Sequence, residues 1–283
     1  MSSATERPTS GLDAPPDGVT LPELDTPRTQ VLLAIADDGL ISGHRASHWT
    51  GVAPSLEEDL AFSTIAQDGL NHADLWYQVM LEADAGDSPA SVDALGLGRR
   101  PEAYRHAVIC ERPPRDFAYT LARHWVFDRF EAVRLAALAG SSDPAVAALA
   151  VKLRHEQRYH LEHAELWFDR LVGGGDEAVT RFHDAFADVL PEALGLFEPV
   201  AGEDAAIADG LLPVGHRKLR EQWLEGAASR LAQAGFDDLV PADDAAAPEN
   251  ASSGRDGRHT DDFVVDVWPE MTRLYREHPG ARW

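Results

Sequence analysis

The run Leu149-Ala-Val-Lys-Leu-Arg-His-Glu-Gln-Arg-Tyr-His-Leu-Glu-His-Ala-Glu-Leu-Trp167 reads as one uninterrupted helix rich in acids and imidazoles. In a four-helix bundle that holds two metals, a Glu and the His three residues after it lie about 300° apart around the helix, so both reach one metal. Here the residue three after Glu156 is Tyr159, a poor ligand for that task, and His160 comes one position late. That near miss separates two readings, an enzyme with a metal centre and a retired copy of one.

Outward from this run, Ser142-Asp-Pro144 is a start signal and Gly173-Gly-Gly175 a stop, which predicts a helix over 144–171. The unbroken stretch from Asp116 gives a helix over 116–139. Thr26-Pro27 places a cap before a proline at the first helical position, so a helix is expected over 26–49. Ser55-Leu-Glu-Glu58 reads as a capping box that opens a second long helix, 55–83. Between these pairs, Gly86 to Arg115 carries too many glycines and prolines for a long helix and reads as the crossover that bundles of the ferritin type need. Further helices are expected over 176–198, bent near Pro191, then 215–234 and 261–277, with a loop over 241–260 and a disordered tail over 1–25. No segment shows strand alternation. The predicted fold class is all-α, a ferritin-like four-helix bundle with additional C-terminal helices.

A carboxylate-bridged di-iron site takes a Glu from each of two helices and a Glu-x-x-His from each of the other two. The first helix offers Asp37 or Asp38, the second Asp68 with Asn71 and then His72, the third Asp128 and Glu131, the fourth Glu156 with Tyr159 and then His160. Every helix has a central acid, yet neither expected Glu-x-x-His is intact. Residues at i and i+4 share a helix face, so Asp68 with His72 and Glu156 with His160 offer a metal an altered geometry. The competing reading is a buried network of hydrogen bonds and ion pairs in the hollow, helped by Arg or Lys. His155, His163 and His183 read as surface or network residues, and Phe117, Trp125, Phe127, Trp167 and Phe168 as core or subunit contact. There is no dinucleotide fingerprint, phosphate loop or nucleophile elbow. Cys110, beside Glu111 in an expected loop, has no visible base and reads as structural.

The segments Asp37-Asp-Gly-Leu-Ile-Ser-Gly-His-Arg45, Glu57-Glu-Asp-Leu-Ala61, Asp116-Phe-Ala-Tyr-Thr-Leu-Ala-Arg123, Ser142-Asp-Pro144, Glu156-Gln-Arg-Tyr-His160 and Gly254-Arg-Asp-Gly-Arg-His-Thr260 resemble, in order and spacing, the C subunits of ring 1,2-phenylacetyl-CoA epoxidases. The 1–30 tail and the Ala- and Asp-rich insert near 241–253 depart from that pattern. The resemblance implies a non-catalytic subunit of an oxygenase of aerobic phenylacetate breakdown, with no cofactor of its own. Its implied partners are a catalytic A subunit that holds the di-iron centre, a B subunit, and a reductase component that passes electrons from NADPH through FAD and an iron–sulfur centre. On this reading Asp38, Asp68, His72, Asp128, Glu131, Glu156 and His160 are degenerate di-iron positions. Two rivals are an autonomous di-iron oxidase built on Asp38, Asp68, His72, Glu131, Glu156 and His160, and a ferritin-like scaffold with no oxygenase link.

The formal net charge of -23 excludes nucleic acid and anionic membrane surfaces as natural partners, because the summed field repels both. No apolar run is long enough to span a bilayer, the N-terminus lacks the features of a signal peptide, and the single Cys110 cannot form an internal disulfide. A cytoplasmic location is therefore expected. Only Lys152 and Lys218 are lysines, and acids outnumber bases 48 to 25, the composition of a surface that tolerates salt. Salt shortens the Debye length to about 3 Å at 1 M and so relieves self-repulsion. A halophilic or salt-tolerant host follows as an expectation. The thermal midpoint should rise between dilute buffer and molar KCl; a midpoint that stays flat or falls would remove the salt reading.

Overall fold

The computed structural model describes residues 21–82, 89–278 and 281. The tail expected over 1–25 lies outside these residues except for 21–25, which form no regular element. Among the described residues every regular element is helical. The long ones are α1 (Pro27–Ser47), α2 (Leu56–Glu82), α5 (Phe117–Leu138), α6 (Pro144–Val172), α7 (Asp176–Ala193) and α9 (His216–Gln233). The short ones are α3 (Pro89–Leu97), α4 (Val108–Glu111), α8 (Glu203–Ala208) and α10 (Trp268–Glu277). No helix among the described residues is long and apolar enough to cross a membrane.

The start signals work as their chemistry dictates. The Thr26 hydroxyl accepts from Thr29 N–H at 3.1 Å, Asp116 accepts from Tyr119 N–H at 2.8 Å, and Asp143 accepts from the N–H groups of Ala145 and Val146 at 2.9 and 3.2 Å. Each satisfies donors that a helix start leaves without partners. The Ser55 box is only half made. Ser55 Oγ accepts from Glu58 N–H at 3.3 Å, but the Glu58 carboxylate turns to His163 Nε2 at 3.0 Å. A half-buried imidazole on the facing helix outcompetes the local backbone donor.

α1 pairs with α2 and α5 with α6 as antiparallel hairpins, and the two hairpins meet through α2 and α6. Residues 98–116 cross between them with α4 and a 3₁₀ turn, so Cys110 and Glu111 lie in a one-turn helix rather than the expected loop. α7 and α9 pack on the outside of α5, anchored by the buried aromatics Trp125, Phe168, Phe182 and Phe186 with ring centroids 4.7–5.7 Å apart. Trp125 and Phe168 are thus core; Phe117, Phe127 and Trp167 are only partly buried. The helix expected over 176–198 ends at Ala193 and tightens into a 3₁₀ turn, Leu194–Phe197, after Pro191 removes a backbone donor. The loop expected over 241–260 contains two 3₁₀ turns, and the helix expected from 261 starts as a π-helical turn, Asp262–Val267, before Trp268 and Pro269 begin α10.

The α1–α2 contact is backbone against backbone. A Cβ on Gly43 would stand 3.1 Å from Ala66 O and Leu70 N, and one on Gly69 would stand 3.1 Å from Gly43 Cα. Glycine costs about 1 kcal/mol in a helix, so its use here follows from the close approach it permits. This draws α2 tightly onto α1. Gly43→Val should destabilise the fold by about 1–3 kcal/mol through overpacking, read from urea unfolding as a lower midpoint at unchanged slope.

Candidate functional site

The hollow between the two hairpins is lined by His72, Asp128, Glu131, Arg134, Gln157 and His160 among others, and encloses about 80 Å³. Asp38 on α1 is fully buried and joins this lining through Arg134. Its Oδ2 accepts from Arg134 Nη1 at 2.6 Å and from Arg255 Nη2 at 2.9 Å, while Oδ1 accepts from Arg255 Nη1 at 2.8 Å and from Ala107 N–H at 2.9 Å. Burial works against this carboxylate, but Arg255 and Arg134 outweigh it and hold Asp38 below the usual carboxylate range. The second nitrogen of the Arg134 fork donates to Glu131. Burial still drives Glu131 up to about 7, with Asp38 and Asp128 adding repulsion that Arg134 only partly offsets.

Arg134 stands three residues after Glu131 on α5, a helix from which the two-metal pattern takes a carboxylate and no imidazole. A guanidinium has five donors and no lone pair to offer a metal. It pairs instead with both neighbouring acids and supplies in place the positive charge a metal would bring.

The other predicted residues assemble differently from the expectation. Asp68 does not pair with His72, nor Glu156 with His160. Instead His72 Nε2 meets Glu156 Oε2 at 2.8 Å and His160 Nε2 meets Asp68 Oδ2 at 2.9 Å, with the rings of His72 and His160 stacked at 6.2 Å. α2 and α6 run antiparallel, so each residue finds its complement directly across the gap, whereas an i, i+4 neighbour on its own helix points the same way. Burial lowers His72; at His160 the same burial is overcome by Asp68 and Asp128, which raise it. Asp128 accepts from Gln157 Nε2 at 2.7 Å and has His124 Nδ1 2.6 Å away. Asp37, the alternative to Asp38, serves the crossover: it pairs with Arg99 and accepts from Tyr77 at 2.5 Å and from Arg105 N–H at 2.7 Å. His163 joins Glu58 and His124, and His183 lies 3.4 Å from Asp238 near the surface.

This donor set does not fit a di-iron centre. Two guanidinium groups already pair with Asp38 and one of them with Glu131, and cations added there would meet them at close range. Among the described residues, three metal-ligating atoms come within 4.8 Å of one another at only two places, neither in this hollow: His44, His48 and Glu270, and His106, Glu111 and His259.

The residues that sequence reasoning missed are arginines and the partners that seat them. Arg255 enters from the segment Gly254–Thr260, which is fixed to α4 by a buried latch. Glu111 accepts from His106 Nε2 at 2.8 Å, from His259 Nδ1 at 3.1 Å, and from Thr260 N–H and Oγ1 at 2.8 and 2.7 Å. The rings of His106 and His259 stack at 4.0 Å. A signal for Arg134 was present in its spacing from Glu131; for Arg255 the sequence offered only a polar glycine-flanked segment.

The sequence model of the family described as "Phenylacetic acid catabolic protein" matches residues 14–283. The chain belongs to that family. It is 30% identical over 257 residues to the C subunit of the 1,2-phenylacetyl-CoA epoxidase of Escherichia coli strain K12, covering 90% of this chain and 98% of that one. Homology to the epoxidase C subunits in phenylacetate catabolism therefore stands on nearly the whole length of both chains.

In this member of the phenylacetic acid catabolic proteins the latch has a measurable proton signature. Burial, with His259 alongside, lowers His106 to about 4 despite its bond to Glu111. The unfolded chain therefore takes up a proton that the folded chain refuses, and stability falls as pH drops from about 6.5 toward 4. His106→Gln should cost about 1–3 kcal/mol at pH 7, and its deficit relative to wild type should shrink across that window in urea titrations. A deficit independent of pH would show that His106 does not titrate as its burial dictates.

Proposed function

We propose that this chain is a non-catalytic, structural subunit of a multicomponent di-iron monooxygenase that converts phenylacetyl-CoA to its ring 1,2-epoxide, and that it pairs with a catalytic A subunit that carries the metals. The observation that carries this reading is Arg134 three residues after Glu131, bridging Glu131 and Asp38. The homology to the C subunit of the Escherichia coli epoxidase supplies the reaction. A B subunit and a reductase using NADPH, FAD and an iron–sulfur centre complete the proposed assembly. In that assembly this chain holds no di-iron; its part is to keep a rigid bundle against its relative.

A surface suited to that role lies on the outside of α2 and α6. Leu56 and Leu60, a turn apart on α2, are 72% and 61% exposed, and Leu166 and Tyr159 on α6 are 66% and 61% exposed. The antiparallel register seen in the Asp68–His160 and Glu58–His163 pairs sets Leu166 beside the Leu56 end and Tyr159 farther along. A group of large apolar side chains on one face, rather than any one of them, is what fits a protein–protein interface.

Elemental analysis of the chain expressed alone under iron-replete conditions should find no iron, while co-expression with the A subunit should yield an iron-loaded pair that oxidises phenylacetyl-CoA. Leu60→Glu and Leu166→Glu should reduce co-purification without altering the helical spectrum of the lone chain. Two irons in the lone chain would make it an oxidase in its own right and end the structural reading.

A further inference from the structure

On the face of α1 away from the hollow, His44 and His48 stand one helical turn apart with ring centroids 5.2 Å from each other. Glu270, in the first turn of α10, brings Oε2 to 3.6 Å from His44 Nε2 and 3.5 Å from His48 Nε2. Neither nitrogen has a hydrogen-bond partner, although both are buried as atoms, and both separations are too long for good N–H···O bonds. Two imidazole nitrogens shut away from water and left unsatisfied need an explanation.

The spacing supplies one. Around tetrahedral zinc, with bonds of about 2.0–2.1 Å, neighbouring ligand atoms are separated by about 3.3 Å, close to the gaps seen here. Paired histidines at i and i+4 on one helix are a recurrent zinc-ligand arrangement, because both rings then leave the same face. We propose that His44, His48 and Glu270 form a divalent-metal site selective for zinc, with water in the fourth position, that clips the start of α10 to α1. Two imidazoles and a carboxylate suit this borderline ion, whereas magnesium or calcium would require more oxygen.

The surroundings fit the assignment. Burial lowers both His44 and His48, which keeps their nitrogens unprotonated and available at neutral pH. Arg45 and Arg123 stand nearby and oppose a cation, and Asp262 and Asp266, facing Arg45 from the π-helical turn, counter them in part. The backbone at both ends is already fixed: Arg45 donates to Asp262 O at 2.9 Å and Trp268 donates to Arg99 O at 2.9 Å. The second convergent cluster, His106, Glu111 and His259, lacks this character, since the atoms that converge there are already joined at 2.8–3.1 Å.

The test is a titration of the full-length chain, stripped with chelator, with ZnCl2 by calorimetry and with CoCl2 by visible absorption. One zinc per chain at micromolar affinity, with a tetrahedral cobalt spectrum, is expected. His48→Ala and Glu270→Gln should each weaken binding at least about tenfold, the lower bound for disturbing even a group that only supports a ligand. Glu156→Gln, in the central hollow, should leave zinc binding unchanged, and the far-ultraviolet spectrum of each variant establishes that it is folded. Binding only at millimolar zinc, or binding retained in the His44→Ala/His48→Ala double variant, overturns the assignment.

Discussion

Asp38 accepts hydrogen bonds from two guanidinium groups and a backbone amide at a point fully closed to solvent, and the rest of the bundle is arranged around that requirement. A carboxylate left alone at that depth would face a penalty of several kcal/mol, and removing one partner of such a buried set costs about 3–5 kcal/mol. Arg134 must therefore come from α5 and Arg255 from the far end of the chain. The crossover that supplies Ala107 N–H and the latch at Glu111 both place groups that Asp38 needs. Buried ion networks seldom add much net stability, and their best-attested service is to specify one arrangement among several. Here the specified arrangement is a bundle whose central acids are met by its own side chains.

The same geometry explains how acids from several helices can share one interior. Carboxylates from several helices repel one another unless something positive lies between them. Arg134 and Arg255 answer this for Asp38, and Arg134 in part for Glu131, while between α2 and α6 the raised His160 answers Asp68 and His72 offers Glu156 a hydrogen bond. Each guanidinium is permanently charged, so its share of this compensation is in place once the chain has folded.

Much of this was legible in the sequence. Helix starts were readable because Thr26, Asp116 and Asp143 cap their own first turns, a local event that needs no knowledge of the fold. The central acids were readable because their levels along each helix follow from helical spacing, and the failure of Glu-x-x-His at Glu156 is a property of three residues. The partners were not readable. Whether His72 meets Asp68 or Glu156 depends on which helix faces α2 and in which direction it runs. Arg255 was hidden because its segment obeys no period and takes its conformation from Glu111, His106 and Glu198.

Asp38 and Arg255 are separated by 217 residues in the chain. During synthesis, α1, α2, α5 and α6 all leave the ribosome before the cation that completes the neutralisation of their shared centre exists. Domains tend to fold as units from the N-terminal side, so the growing chain must hold four amphipathic helices around an incompletely compensated charge until its last tenth emerges. The bundle is in this sense finished from its end, and a transcript or translation product that stops short of the Gly254–Thr260 segment forfeits the interior of the fold rather than merely its outer helices.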